Sequence, residues 1–333
     1  MNLSQSTALI ILLIVTFLWG SWFQVVKHTG DYPIYALLSW LYVFSIFIVW
    51  GSIALLHKQM VPDGVFHEIA SDIPRTLFVL LCGALYAVGM QLQLTVVGRV
   101  GLILSSSITS TCSILCGILL SSFLGGIPEG ASFASILFAA VLLILGTVIC
   151  QASGKMRTQD INGGKAEKRE RARGKDIALL IFSSGVLAPF YSMASSVGLK
   201  TELRPDGFSS FTCMGILCIG ALIGTSIFTA VRLTKDKKWG ILFHPGVGMK
   251  RILLMALIAA FCHFGGNVLH AIAAPVVSVV IATGIGYSFG MWSYFWGICY
   301  GEFKGAKGRT YMTLALGVAL FLAGVVILTF NMS

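Results

Sequence analysis

Apolar residues in this chain come in long unbroken blocks, without the alternation of a strand or the single stripe of a soluble helix. Ten blocks lie near residues 7–27, 34–56, 75–97, 101–123, 131–151, 176–198, 208–231, 251–272, 275–297 and 310–331. Each is close to the roughly 20 residues that cross about 30 Å of hydrocarbon as a helix. Strands of a membrane barrel would be shorter and would alternate apolar with polar positions. Lipid offers no hydrogen bonds to bare backbone, and a helix satisfies its N–H and C=O groups internally. The pattern predicts an all-α membrane protein of ten transmembrane helices.

Segment one has the apolar core of a signal peptide. However, Met1 to Thr7 carries no Lys or Arg, and the run continues through Trp19 and Trp22 without a cleavage site, so a retained helix is expected. The connections are short except for the polar, charge-rich stretch 152–175. This predicts a first half over 1–151, a basic cytoplasmic linker over 152–175 and a second half over 176–333. Five is odd, so two five-helix halves would have opposite orientations. Faint echoes support an inverted repeat: Leu142, Gly146, Val148 and Ile149 recur as Leu320, Gly324, Val326 and Ile327. Likewise Trp22-Phe23 and Gly30 correspond to Phe190-Tyr191 and Gly198. Inverted repeats build many secondary transporters, with a midplane site where the repeats meet.

Composition agrees: 56% of residues are hydrophobic, 11% are charged, and mean hydropathy is +0.89. Soluble domains carry roughly 25% charged residues. The net charge of +10 changes the picture only through its placement. Of 23 Lys and Arg residues, 19 fall after odd-numbered segments, and the exceptions are Lys58, Arg75, Lys200 and Arg204. Cytoplasmic loops carry the excess of Lys and Arg. Both termini are therefore expected on the non-cytoplasmic side of a cytoplasmic membrane. This distribution sets topology and argues against nucleic-acid binding, although the linker could also meet anionic lipid headgroups.

None of the 13 acidic residues sits mid-span, and no Lys or Arg does either. Intramembrane charges usually mark ion or proton pathways. Their absence argues against a carboxylate relay, an ion-paired substrate or a voltage sensor, and favours a neutral, hydroxyl-bearing solute. Segment eight places His263, Asn267 and His270 on one helical face. Such a face belongs against a cavity or another helix, and His263 is also the candidate carrier of a coupling proton. Interhelical hydrogen bonding beside Gly265 and Gly266 is the plainer role.

Segment nine aligns Thr283, Tyr287 and Tyr294, with Ser288, Trp292 and Trp296 beside them. Rings and hydroxyls together suit a sugar, whereas Trp296 near the segment end reads as an interfacial anchor. Segment three offers Tyr86 and Gln93, and segment one offers Trp19, Trp22 and Gln24. Segment six offers Tyr191 within the aromatic pair that echoes Trp22-Phe23. The hydroxyl run Ser105 to Thr111 fits close helix packing at least as well as a site. The candidate substrate-binding residues are thus Trp22, Gln24, Tyr86, Gln93, Tyr191, His263, Asn267, Thr283 and Tyr287.

Nothing here spells catalysis. There is no Walker-type loop and no assembled Ser/His/Asp set. Cys112 and Cys116 lie one turn apart but have no His or carboxylate nearby to complete a metal set. The eight cysteines read as small buried hydrophobes. No enzyme activity, cofactor, metal or obligate protein partner is expected. The expected partners are a small solute, a proton and membrane lipid.

The chain resembles the ten-helix drug/metabolite transporter superfamily, and within it the L-rhamnose–proton symporter and sugar porter branch. The resemblance rests on FIVWGSIALL (Phe47 to Leu56), on Gly83, Gly89, Thr95 and Gly98 leading to Arg99, and on GEFKGAKGR (Gly301 to Arg309). It covers most of the chain in patches and is more specific for the family than for the substrate. It implies a basket of two inverted five-helix repeats, alternating access, and a cavity lined by helices one, three, four, six, eight and nine. Import of a neutral monosaccharide or deoxysugar is the function it implies first. Export of drugs or metabolites, or a ureide- or nucleobase-type permease, are the alternatives within the same superfamily.

Overall fold

The computed structural model describes residues 3–61, 63–100, 102–161 and 174–330. Segment one is α1 (Gln5–Ser21), continued by a 3-10 stretch over Trp22–His28. Segment two is α2 (Ile34–Met60), followed by the short α3 (Val65–Ser71). Segments three to five are α4 (Ile73–Val100), α5 (Leu102–Gly125) and α6 (Phe133–Ile161). Segment six joins α7 (Gly174–Phe182) to α8 (Phe190–Gly198) through a π turn, Ser183–Leu187. Segment seven is α9 (Ser210–Asp236), with the short α10 (Trp239–Phe243) after it. Segment eight joins α11 (Met249–Ala260) to α12 (Gly266–Val277) through a second π turn, Phe261–Gly265. Segment nine is α13 (Val279–Gly286), a 3-10 turn at Tyr287–Phe289, and α14 (Gly290–Cys299). Segment ten is α15 (Gly308–Thr329).

Among the described residues, nine helices are long and apolar enough to cross a membrane. Segment nine is not one of them: it is helical over 279–299, but Ser, Tyr and Trp residues interrupt its apolar run. The expected linker begins later than residue 151, because α6 continues to Ile161. Its last turns are tied down: the Asp160 carboxylate accepts from the Lys307 N–H at 2.9 Å and the Thr310 hydroxyl at 2.6 Å. The linker's Lys165, Lys168, Arg169, Arg171 and Arg173 lie outside the described residues.

The most extensive helix pairs are α6 with α15, α4 with α9, α2 with α9, and α1 with α12. Glycines let two of them touch backbone to backbone. A Cβ on Gly83 would come within 2.2 Å of the Leu217 carbonyl oxygen, and one on Gly220 within 2.0 Å of that of Leu80. Gly146 and Gly317 bring α6 and α15 together in the same way. Small residues at helix contacts are the usual means of association in lipid, where apolar burial gives little drive. Outward-facing Leu55, Phe66, Phe123 and Met312 are strongly exposed, as hydrocarbon contact requires.

Proline breaks are repaired from neighbouring helices. Pro275 inside α12 has no N–H for the carbonyl one turn back. That carbonyl, on Ala271, accepts instead from the Ser210 hydroxyl at 2.6 Å. In segment six the π turn ends two residues before Pro189, and two side chains from other helices meet its carbonyls. Gln93 Nε2 donates to Ser183 at 3.2 Å and Ser113 Oγ to Ser184 at 3.3 Å.

Ser278, between α12 and α13, holds φ +83° and ψ 147°, a region natural to glycine. Such a conformation costs a side-chain-bearing residue roughly 1–3 kcal/mol. Its hydroxyl caps the Ile281 N–H at 3.4 Å, a role whose loss to glycine costs only a few tenths of a kcal/mol. Ser278→Gly should therefore stabilise the protein by about 1 kcal/mol. A rise in melting temperature in detergent is the expected reading, and a fall would show that the hydroxyl matters more than the strain.

The bundle's two ends are latched by loops. At one end Glu302 pairs with Lys27 and, at 2.8 Å, with Arg157, joining segments one and five to the loop before α15. Lys27 also lies 4.0 Å over the Tyr300 ring. At the other end Arg75 pairs with Asp72 and Asp206, and Arg204 donates to the Leu124 carbonyl at 2.9 Å. Glu68 of α3 accepts from both the N–H and hydroxyl of Ser209, ahead of α9.

Partial burial raises the Glu302 carboxyl, but hydrogen bonds and charge from Lys27 and Arg157 hold it below its ordinary value. A group depressed on folding stabilises the folded state above its unfolded pKa, and this is lost as pH falls through the folded pKa. Glu302→Gln should lower the melting temperature slightly at neutral pH, since half-exposed pairs contribute about 1 kcal/mol or less. The gap to wild type should close below the ordinary carboxylate range. A gap of constant size down to strong acid would argue against the ion pairs as its source.

Candidate functional site

Among the described residues, non-α turns interrupt segments one, six, eight and nine, and candidate residues lie on or close to each. Trp22 and Gln24 lie on the 3-10 stretch after α1, and His263 lies in the second π turn. Tyr287 opens the 3-10 turn of segment nine, and Tyr191 follows the first π turn by a few residues. π turns occur mostly as single widened turns, often where a side chain must be re-aimed for function.

Inside the bundle Trp22, Tyr191 and His263 join Tyr86 of α4 in one aromatic–imidazole cluster. His263 is 3% exposed. Its Nε2 lies 3.2 Å from the Tyr86 hydroxyl, and the two rings are nearly parallel at 11°. Trp22 packs against the same imidazole with ring centroids 5.2 Å apart, and Tyr42 meets it edge-on at 6.2 Å. Tyr86 continues to Tyr191 at 5.5 Å. The Tyr191 hydroxyl lies 3.1 Å from His270 Nδ1, and Trp19 covers both rings at 5.6 and 5.2 Å. Gly266 makes room for the Trp19 indole: a Cβ there would fall 2.7 Å from its nitrogen.

Tyr287 is placed by a second glycine gap. Its hydroxyl would lie 2.1 Å from a Cβ on Gly117, and it sits 3.4 Å from Ser192 Oγ. Thr283 accepts from Ser121 Oγ at 3.4 Å, between α13 and α5. Gln93 gives its amide nitrogen to the π turn of segment six, as described. Gln24 is half-buried and takes no part in these contacts. Asn267 is 1% exposed, one turn beyond His263, and neither end of its carboxamide has a hydrogen-bond partner. His263 Nδ1 is likewise buried without one.

The structure thus joins Trp22, Tyr86, Tyr191 and His263, with Trp19 and His270, in one chain of ring contacts. Thr283 and Gln93 engage neighbouring helices instead. Tyr42 had no signal in the sequence beyond being a hydroxyl deep inside segment two. The indoles of segment nine are also bound within the protein: Trp292 donates to Thr16 Oγ1 at 2.9 Å and Trp296 to Ser21 Oγ at 2.8 Å. Among the described residues, no charged side chain joins this cluster. Chemically it offers apolar ring faces, phenol hydroxyls, imidazole nitrogens and one free carboxamide, all neutral hydrogen-bonding groups.

Long apolar helices around such a core define a multi-pass α-helical membrane protein, an architecture that fits a membrane transporter. No family model matches the chain, and no curated protein does. Fifteen chains of solved structures match it. One of them, described only as "Crystal structure of protein", has a TM-score of 0.64 at 14% identity, covering 98% of each chain. At that identity the likeness concerns the fold alone.

Proposed function

We infer that this protein is a secondary carrier of a neutral small solute, with a monosaccharide or deoxysugar such as L-rhamnose as the leading substrate class. The observation that carries the reading is the uncharged cluster inside a membrane bundle in which Trp22 and His263, on non-α turns, and Tyr191, just past one, meet Tyr86 of α4. Irregular backbone at membrane depth is tolerated where it is enclosed by protein or lines a cavity. Carriers place solute sites at such broken helices. Aromatic faces suit the C–H faces of a sugar ring, and phenol, imidazole and amide groups suit its hydroxyls.

Packing supports ten membrane helices arranged as two inverted five-helix repeats. If segments one to five correspond to six to ten, the pairing of segments three and seven becomes that of eight and two. Likewise the pairing of one and eight becomes that of six and three, and that of four and six becomes that of nine and one. All of these contacts occur. Pairs five–ten, two–seven and four–nine map onto themselves and occur as well. Orientation is read from charge: Lys27, Arg157 and Lys307 gather at one end, while Arg75 and Arg204 lie at the other. The first end is assigned to the cytoplasm, leaving both termini outside. Turnover moves solute and a coupling proton, with His263 the candidate proton carrier and no covalent step.

The test is uptake of labelled L-rhamnose by proteoliposomes, with and without an imposed inward proton gradient. Unlabelled sugars, cyclic ureides and cationic drugs serve as competitors. Gradient-dependent accumulation blocked by sugars is the expected result. Flux or competition with ureides or drugs alone would replace sugar import by the permease or exporter reading.

A further inference from the structure

Among the described residues, Asn267 is the one fully buried carboxamide with both ends unpaired. Other buried amides differ: Gln91 leaves its oxygen unpaired, but its nitrogen reaches the Tyr35 carbonyl and Thr229 hydroxyl at 3.5 Å. An unpaired buried polar group is costly, and native proteins keep few of them without a reason. Nearby, His263 Nδ1 is also buried and unpaired. This does not depend on the tautomer: whichever way the hydrogen bond to Tyr86 runs through Nε2, Nδ1 remains open. The widened turn at Phe261–Gly265 keeps His263 and Asn267 one turn apart on the inner side of segment eight. The unmet groups are therefore a donor and an acceptor side by side on Asn267, plus one more on His263.

We propose that Asn267 is the specificity-determining residue of the carrier, reading two adjacent hydroxyls of a monosaccharide ring through both ends of its carboxamide. A vicinal diol is the complement of a carboxamide: one hydroxyl donates to the amide oxygen while its neighbour accepts from the amide nitrogen. His263 Nδ1 takes a further hydroxyl, and the aromatic wall takes the ring's apolar face. The hydrogen bonds missing from the protein are then supplied by the solute. A site built this way rejects analogues that lack a hydroxyl, because its own polar groups are left stranded. The proposal rests on the carrier reading above and names the chemistry by which that site selects.

The experiment compares wild type with Asn267→Leu in proteoliposomes. Labelled L-rhamnose is competed by unlabelled L-rhamnose and by analogues deoxygenated at one ring position at a time. Melting temperature in detergent is measured with and without L-rhamnose. In wild type, removing either hydroxyl of the pair should weaken competition about tenfold or more. In Asn267→Leu the parent sugar should fall to the level of those analogues, and discrimination among them should vanish. The sugar-free melting temperature should not drop, because leucine removes a stranded amide, whereas the sugar-induced shift should be lost.

If Asn267→Leu fails to fold, Asn267→Ser supports the same comparison with a smaller polar group. A variant that keeps wild-type affinity and wild-type discrimination overturns the role of Asn267 while leaving the carrier reading intact. Wild type that shows no sugar uptake, competition or melting shift overturns the sugar reading itself. Competition by a cyclic ureide alone, lost in Asn267→Leu, overturns the diol as the feature recognised.

Discussion

Alanine at Gly220 should cost most of the folded protein. The added methyl would sit 2.0 Å from the Leu80 carbonyl oxygen and 2.8 Å from its carbon, with no flexible side chain to move aside. Gly83 and Gly224 face the same seam, with Cβ positions 2.2 Å from the Leu217 oxygen and 2.3 Å from the Ala84 oxygen. Relief requires α4 and α9 to separate along their length, and these two helices form one of the largest contacts in the bundle. Overpacking costs about 1–3 kcal/mol where side chains can adjust. A backbone clash should reach the upper end of that range or pass it. Gly51→Ala is the control, because nothing lies within 4 Å of its Cβ position. That change should be neutral or stabilise by about 0.5–1 kcal/mol, as Ala does over Gly inside a helix. The measurement is melting temperature and monodispersity in detergent. Gly220→Ala behaving like Gly51→Ala would mean that the close seam is wrong.

Phenylalanine at His263 should leave the protein folded and remove most of its transport. The ring contacts with Trp22, Tyr42 and Tyr86 depend on shape and can persist. The hydrogen bond to the Tyr86 hydroxyl cannot, and the open Nδ1 disappears with it. Each neutral hydrogen bond is worth about 1 kcal/mol, more where a buried partner is stranded, and about 1.4 kcal/mol is tenfold in affinity. Loss of the solute bond together with stranding of Tyr86 should cut uptake at low solute concentration about tenfold or more. Tyr86→Phe keeps the imidazole and should lose less. If His263 also carries the coupling proton, the pH dependence of uptake should flatten in His263→Phe. Normal flux with normal pH dependence would remove His263 from the site.

Much of this architecture is readable in the sequence, for a simple reason. Lipid forces each crossing to be a long apolar helix, so block length and composition alone locate most of the helices to within a few residues. The exceptions are α6, which runs on to Ile161, and segment nine, which is not long and apolar enough throughout. The absence of mid-span charge follows from composition in the same way. His263, Asn267 and His270 stood out because polar groups are scarce there, and Trp19 and Trp22 because large aromatics cluster near one segment end.

Other features had no local signal. Tyr42 looks like any tyrosine in an apolar run until segment eight packs against it. Gln93 looks like a cavity residue until the π turn of segment six offers its carbonyl. Trp296 looks like an interfacial anchor until Ser21 appears opposite its indole. The helical stretch of α6 beyond residue 151 carries Asp160 to Lys307 and Thr310, which lie far along the chain.

The sequence by itself therefore determined the class of protein, the positions of its long helices and the absence of charge from the middle of its apolar segments. Those properties follow from the solvent, and the solvent acts on each segment separately. Only the tertiary structure decided where the helices break and which side chains meet. Groups freed by a break can be satisfied by another helix, as Ser210 does for Ala271. The candidate site joins side chains from interrupted segments, such as Trp22 and His263, to Tyr42 and Tyr86 of the uninterrupted α2 and α4. Its geometry is therefore a property of helices in contact rather than of any one of them.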